Sequence, residues 1–371
     1  MRALYRVHRN AQASEGVNLS RKLFTVGPVN VEPEVLQAMT KPMITHRTKE
    51  YKQLHGNIVE KMKKVLETDM DVLLVGGSAS VFLEGCIRNG VKKDVLGITN
   101  GSFGDRWVEI SKLNGKNVTE IKVPWGNGIR PSHIEGKVGK NEAVHFVSNE
   151  SSTGTFSSTQ VLADEIRKQG DALIFVDGVT SVAGMPLDLK KADIDALVFG
   201  SQKALALPPG LAFAAVSERL LKKAKEVENR GFYTDLLKLK KSNDENYALT
   251  TPPVSLMYAL DFQLDRILRE GMKARYRRHK EMGDMVRKWA GKYGGIFPEE
   301  GFRSNTIGVM NRAGLDFDEF HKKLKAEGYE ISNGYGEVKE RTFRIGHMGD
   351  ITPARLKELL TVMDKIMEES K

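Results

Sequence analysis

Lys203 stands in the apolar run Leu-Val-Phe-Gly-Ser-Gln-Lys-Ala-Leu-Ala-Leu-Pro-Pro-Gly, residues 197–210. An ammonium flanked by apolar sequence loses hydration. Desolvation lowers an amine's pKa and makes it a nucleophile toward carbonyls. Upstream, the strand-like run Ala-Leu-Ile-Phe-Val ends in Asp177. A carboxylate at one strand end and a lysine just past another can hold the two ends of one flat, electron-withdrawing cofactor. Pyridoxal 5′-phosphate (PLP) asks for that pair, a lysine for its aldehyde and an Asp for its ring nitrogen.

Three loops add candidates. Gly76-Gly77-Ser78-Ala79-Ser80 joins a strand-like run to a helix-like one. Small residues let backbone N–H groups approach an anion, and the helix dipole favours a phosphate there. A tight turn with an N-capping serine is the other reading of that segment. Neither a dinucleotide glycine pattern nor the Gly-Lys-Ser/Thr of a nucleotide P-loop is present. In Asn100-Gly-Ser-Phe-Gly-Asp-Arg106, flanking glycines free Phe103 to lie over a flat ring, or to serve as a core residue beside a turn. Ser148-Asn-Glu-Ser-Ser-Thr-Gly154 offers hydroxyls to a cofactor's ring oxygen, or forms a solvated polar loop.

The elements that must position these residues follow from periodicity. Leu54, Ile58, Met62, Val65 and Leu66 recur at helical spacing over residues 51–67. Strands are expected at 72–75, 95–99, 117–123, 143–148, 172–176 and 196–199, with helix-like pieces such as 162–168 between them. Alternation of this kind implies an α/β fold, a mainly parallel central sheet flanked by helices. Such sheets bind ligands at the carboxyl ends of their strands, where Gly77, Gly101, Glu150, Asp177 and Lys203 fall. From Ser255 one long helical region is expected to run toward Trp289. Short strands near 305–310 and 342–345 and a last helix after Pro353 follow. The expected domains are an N-terminal extension (1–22), a large cofactor-binding domain (23–255) and a smaller α+β C-terminal domain (256–371).

The 371 residues carry a net charge of +9 and 40% hydrophobic residues, which points to a globular chain with a sizeable core. Cations and acids are interleaved along the sequence, and no nucleic-acid reading motif stands out, so no nucleic-acid partner is expected. The positive field suits an anionic cofactor and carboxylate substrates. No apolar run reaches the roughly 20 residues of a membrane helix. The single cysteine, Cys86, sits in a helix-like apolar stretch, fits core packing and a reducing, cytoplasmic setting, and leaves no intrachain disulfide. No metal site is expected.

Gly200-Ser-Gln-Lys-Ala-Leu-Ala-Leu-Pro-Pro-Gly210 resembles the lysine segment of class V, fold-type I PLP aminotransferases, in the alanine–glyoxylate/serine–pyruvate branch. Thr25-Val-Gly-Pro-Val-Asn30, Glu150-Ser-Ser-Thr-Gly154, Val176-Asp-Gly-Val-Thr-Ser181 and Phe343-Arg-Ile-Gly-His-Met-Gly349 follow in family order. The resemblance implies that Lys203 is the Schiff-base lysine and that Asp177 faces the pyridine nitrogen. It places Ser78, Ala79, Ser80 and Gln202 at the phosphate and Phe103 over the ring. Ser151 then lies beside the ring oxygen and substrate, Gly27 lies at the substrate, and Arg344 grips the substrate α-carboxylate. Tyr247 and Thr250 match residues reaching the phosphate of a neighbouring subunit, which implies a homodimer with shared sites. Phe103 departs from the branch's frequent tryptophan, and Ala79 from its frequent glycine. The implied reaction is transamination between a small amino acid (alanine or serine) and a 2-oxo acid (glyoxylate or pyruvate). A phosphoserine or aspartate aminotransferase is the alternative within the chemistry, with His46 or Arg47 to receive a second acid. A lyase or cysteine desulfurase fits less well, because Cys86 lies in an apolar stretch and Phe103 stands where those enzymes place histidine. Relatives described as soluble-hydrogenase subunits raise a further alternative, a non-catalytic interaction subunit on the same fold.

Overall fold

The computed structural model describes residues 21–369. Of the expected 1–22 extension, all but Arg21 and Lys22 lie outside the described residues. Seven strands form the central sheet, in the order Asp71–Gly76, Leu211–Val216, Ala196–Gly200, Leu173–Asp177, Ala143–Val147, Asp94–Thr99 and Asn117–Lys122. The strands from Ala196–Gly200 to Asn117–Lys122 pair in parallel. Leu211–Val216 runs antiparallel to both of its neighbours. It follows Ala196–Gly200 through a connection too short for a parallel crossover, which takes a dozen or more residues. All of its residues are buried, so it lacks the alternation that marks a half-buried strand.

Helices cover the sheet. Lys49–Leu66 starts where the Thr48 side chain accepts the Tyr51 N–H, at 3.4 Å, and ends at Glu67 in a left-handed conformation. Its stripe of Leu54, Ile58 and Met62 is buried in one cluster with Met257, Leu260 and Leu264 of the helix Val254–Glu270. The single long helix expected from Ser255 to Trp289 is instead two, Val254–Glu270 and Met272–Ala290. Gly271, at φ +79°, stands between them, a backbone conformation that breaks helical hydrogen bonding and favours glycine.

A second, four-stranded sheet has the order Lys22–Phe24, Tyr329–Asn333, Thr342–Gly346, Ile307–Asn311. It packs its own core, in which Trp289, Phe317, Phe343, Leu356 and Met363 meet. Tyr329–Asn333 and the helix Phe317–Ala326 had no counterpart in the sequence reading. The first strand ties the beginning of the described chain to this sheet by parallel pairing with Tyr329–Ile331. Val26 and Gly27, just beyond it, are thereby delivered to the site.

Candidate active site

Lys203 sits in the loop between Ala196–Gly200 and Leu211–Val216, at the sheet edge where Asp177 closes its own strand. The Lys203 ammonium donates to the Val26 carbonyl. Gly27 approaches so closely that an added Cβ would lie 2.6 Å from Lys203 Cδ, and its φ of +103° already favours glycine. Burial, and then the positive charge of Arg344, push the Lys203 amine down to about 8, while Asp177 and Glu150 pull the other way.

Asp177 is 5% exposed, and one of its oxygens, Oδ1, accepts the Val179 N–H at 2.8 Å. Burial raises its carboxyl to about 7, against the lowering effect of that N–H. Glu150 raises it further, and Lys203 and Arg106 lower it.

Both groups line one cavity of about 150 Å³. At one end stand Ser78, Ala79 and Ser80, with Gln202 beside Lys203. The helix Ser80–Gly90 begins here with Ala79 as its cap and no side-chain capping bond. The Val81 and Phe82 N–H groups bond the Ser78 and Ala79 carbonyls, each at 3.0 Å, and no serine hydroxyl caps the helix, so the positive end of its dipole is left to an anion. Phe103 and Val179 supply apolar walls, and Asn149, Ser151 and Thr180 supply polar ones. Asn149 Nδ2 donates to the Thr180 carbonyl at 3.2 Å and to Thr306 Oγ1 at 3.0 Å, whereas its Oδ1 has no partner. A flat ring with a phosphate at one end and an aldehyde at the other fits this set: uncapped helix start, apolar walls, unpartnered amide oxygen, desolvated amine and buried carboxyl.

Glu150 organises the Phe103 wall. Its Oε2 accepts the N–H groups of Phe103 (3.0 Å) and Gly104 (3.1 Å). Its Oε1 accepts the Ser152 N–H (3.0 Å) and hydroxyl (2.6 Å). The carboxylate is fully buried, and Gly101 packs so tightly on it that an added Cβ would lie 2.5 Å from its Cγ. Burial pushes the Glu150 carboxyl up, against those donors.

Arg344 comes from the smaller sheet, on Thr342–Gly346. Its Nε donates to the Asn333 carbonyl at 2.8 Å and its Nη1 to the Ser151 carbonyl at 3.1 Å. Burial lowers it to about 10, which leaves it cationic at neutral pH. The second sheet thus delivers a guanidinium to the turn at Ser151, which lines the cavity.

Some expected residues are not gathered here. Tyr247 and Thr250 do not line this chain's cavity, and Tyr247 lies under Lys52 Nζ at 4.2 Å. His46 and Arg47 do not line it either; His46 meets the Tyr51 ring edge-on at 6.4 Å. Cys86 is wholly buried in Ser80–Gly90, its thiol pushed up by burial. Arg106, Val179, Thr180 and Tyr335 escaped the sequence reading. Arg106 follows Phe103 by one helical turn, a spacing that puts both on one face and was legible. Tyr335 carries no local signal, because it reaches Phe103 only through the packing of the two sheets.

The Aminotransferase class-V family model matches residues 32–336. An uncharacterized aminotransferase of Methanocaldococcus jannaschii is 36% identical, over 90% of this chain and 89% of the relative. The serine–glyoxylate aminotransferase of Methylorubrum extorquens is 31% identical, over 90% and 88%. Among solved structures, an alanine–glyoxylate aminotransferase from Nostoc sp. superposes with a TM-score of 0.89 at 27% identity, covering 96% of this chain and 98% of that one. A match over most of the chain, on a fold-type I architecture, leads to one assignment: the chain belongs to the class-V aminotransferase family and is a PLP-dependent transaminase acting on amino acids and oxo acids.

Proposed function

We propose that the chain transfers the amino group of alanine or serine to glyoxylate or pyruvate, with PLP held in the cavity at Lys203 and Asp177. The observation that carries this reading is the opposed pair: a lysine amine pushed down to about 8 and an aspartate pushed up to about 7, both lining one cavity. When bound, the cofactor supplies an electron sink for the bond being broken at the substrate's Cα. Lys203 Nζ takes the Cα proton and returns it, as general base and then general acid. Asp177 holds a proton on the ring nitrogen, since a nearby carboxylate favours the cationic form. Ser78, Ser80, the Ala79 backbone and Gln202 hold the phosphate, and Phe103 and Val179 flank the ring. Ser151 and Asn149 face the ring oxygen and the reacting amine. Arg344 binds the α-carboxylate through its planar fork, and Gly27 leaves room for it beside Lys203.

The names of the two glyoxylate-using relatives support a small oxo acid as acceptor. Tyr247 and Thr250 serve the phosphate of a second copy, so the working unit is a homodimer with shared sites. The lone buried cysteine suits a reducing, cytoplasmic setting. Purified wild-type protein should bind PLP with visible absorbance and convert alanine or serine with glyoxylate or pyruvate in a donor–acceptor panel. Lys203→Ala should lose both the absorbance of lysine-bound cofactor and turnover. Full activity in that variant refutes the assignment, and a colourless wild type unable to take up PLP favours a non-catalytic interaction subunit.

A further inference from the structure

Arg106 lines the cavity with Phe103, Asp177 and Lys203, and is exposed at its mouth. Among the described residues it forms no ion pair. One donor of its guanidinium, Nη2, goes to the Tyr335 hydroxyl at 3.2 Å, and its guanidinium carbon lies 4.8 Å from the centre of the Phe103 ring. The other donors of the fork are left over. Tyr335 stacks on Phe103 with ring centres 5.7 Å apart and planes 12° from parallel. Its ring also lies 5.3 Å from the Arg344 guanidinium carbon. One tyrosine therefore stands between two arginines.

The backbone around Tyr335 is seated closely. A Cβ at Gly334 would lie 2.5 Å from the Lys339 carbonyl oxygen. A Cβ at Gly336 would lie 2.4 Å from Ser102 Oγ and 2.5 Å from the Trp125 ring. The loop thus sits against the start of the Phe103 helix, and the tyrosine is placed by its backbone rather than trailing in solvent. Its contact with Arg344 puts this group on the substrate side of the cavity. The phosphate end, at Ser78, Ser80 and Gln202, is a different wall.

We infer that Arg106 and the Tyr335 hydroxyl form a second anion subsite, which takes the side-chain carboxylate of a dicarboxylic amino acid such as aspartate while Arg344 holds its α-carboxylate. This rests on the Arg344 role in the proposed function and adds an acidic donor to the small ones named there. An arginine fork and a phenol present N–H and O–H donors together, the combination that binds a carboxylate strongly. A substrate without the second carboxylate leaves those donors to water.

The test uses the holoenzyme and two unreactive acids, succinate and propionate, with binding measured by calorimetry. Succinate should bind roughly 10- to 100-fold more tightly than propionate. Arg106→Gln should remove most of that preference, and Arg106→Lys, which keeps the charge without the fork, should keep part of it. Tyr335→Phe should reduce it. In turnover, the ratio of kcat/KM for aspartate to that for alanine should fall in Arg106→Gln. Equal binding of the two acids by the wild type overturns the subsite, as does a preference that survives Arg106→Gln. A wild type that converts alanine yet shows no such preference sinks the subsite and leaves the small-donor reading standing. A wild type that selects succinate through Arg106 but converts neither alanine nor serine supports the subsite and sinks that reading.

Discussion

Replacing Glu150 by alanine should cost more stability than its distance from the chemistry implies. The carboxylate takes four hydrogen bonds, from the backbone of Phe103, Gly104 and Ser152 and from the Ser152 hydroxyl. In Glu150→Ala the hydroxyl can rotate to another acceptor, but the N–H groups of half-buried Phe103 and of buried Gly104 and Ser152 cannot. Each orphaned donor costs about 1–3 kcal/mol. Loss of the buried carboxylate also relieves its desolvation, and water entering the vacated space can recover some bonding. The lower half of the range therefore applies, a net loss of roughly 3–5 kcal/mol. Glu150→Gln should lose about 1–3 kcal/mol, because its amide turns two hydrogens toward existing donors. The assay is urea unfolding of the apoprotein, paired with PLP affinity of the same variants. Loosening Phe103 forfeits aromatic stacking worth about 0.5–1.5 kcal/mol, or roughly a 2- to 10-fold weaker affinity. A Glu150→Ala protein within about 1 kcal/mol of wild type, with unchanged PLP affinity, would show that the Phe103 loop does not depend on this carboxylate.

Further outcomes follow from the buried charged groups around the Lys203 loop. Burial pushes the free Lys203 amine down from its ordinary 10.5 to about 8, so capture of PLP by the apoprotein should accelerate as pH rises through that value. Arg344→Gln removes a repelling charge and should move the midpoint upward; stopped-flow absorbance reads both, and a midpoint that stays put refutes the coupling. In stability the sign is that of a depressed base: the contribution is present above about 10.5 and lost as pH falls toward about 8. The buried Arg275 donates to the carbonyls of Ala183 (3.0 Å) and Ala204 (2.6 Å) and pairs with Glu270 (2.6 Å) and Asp350 (3.2 Å). Arg275→Ala should destabilise by about 3–5 kcal/mol and loosen the loop that carries Lys203. Thermal unfolding within a degree or two of wild type would refute that clasp.

Local chemistry made much of the fold legible. The strands beginning near residues 72, 95, 143, 172 and 196 appear within a residue or two of expectation, because strands covered on both faces read as short apolar runs between turn residues. Leu211–Val216 escaped although Pro208-Pro209-Gly210 marks a turn just before it, since its alanine-rich run has no alternation and half of it is a residue type common in helices. Gly271 was passed over because a lone glycine inside a helical pattern is usually tolerated, and only its φ of +79° shows that the helix ends.

For the site, the residue types and their places at strand ends were enough to nominate Lys203, Asp177, the Ser78–Ser80 turn and Phe103. Each owes its place to local periodicity and to the rule that parallel sheets gather ligands at one edge. Folding alone decided the rest. The approach of Gly27 to Lys203, the grip of Glu150 on the Phe103 loop and the stack of Tyr335 between Arg106 and Arg344 join segments far apart in the chain. Such contacts depend on how two sheets with separate cores dock against each other, and no spacing within a single segment encodes that.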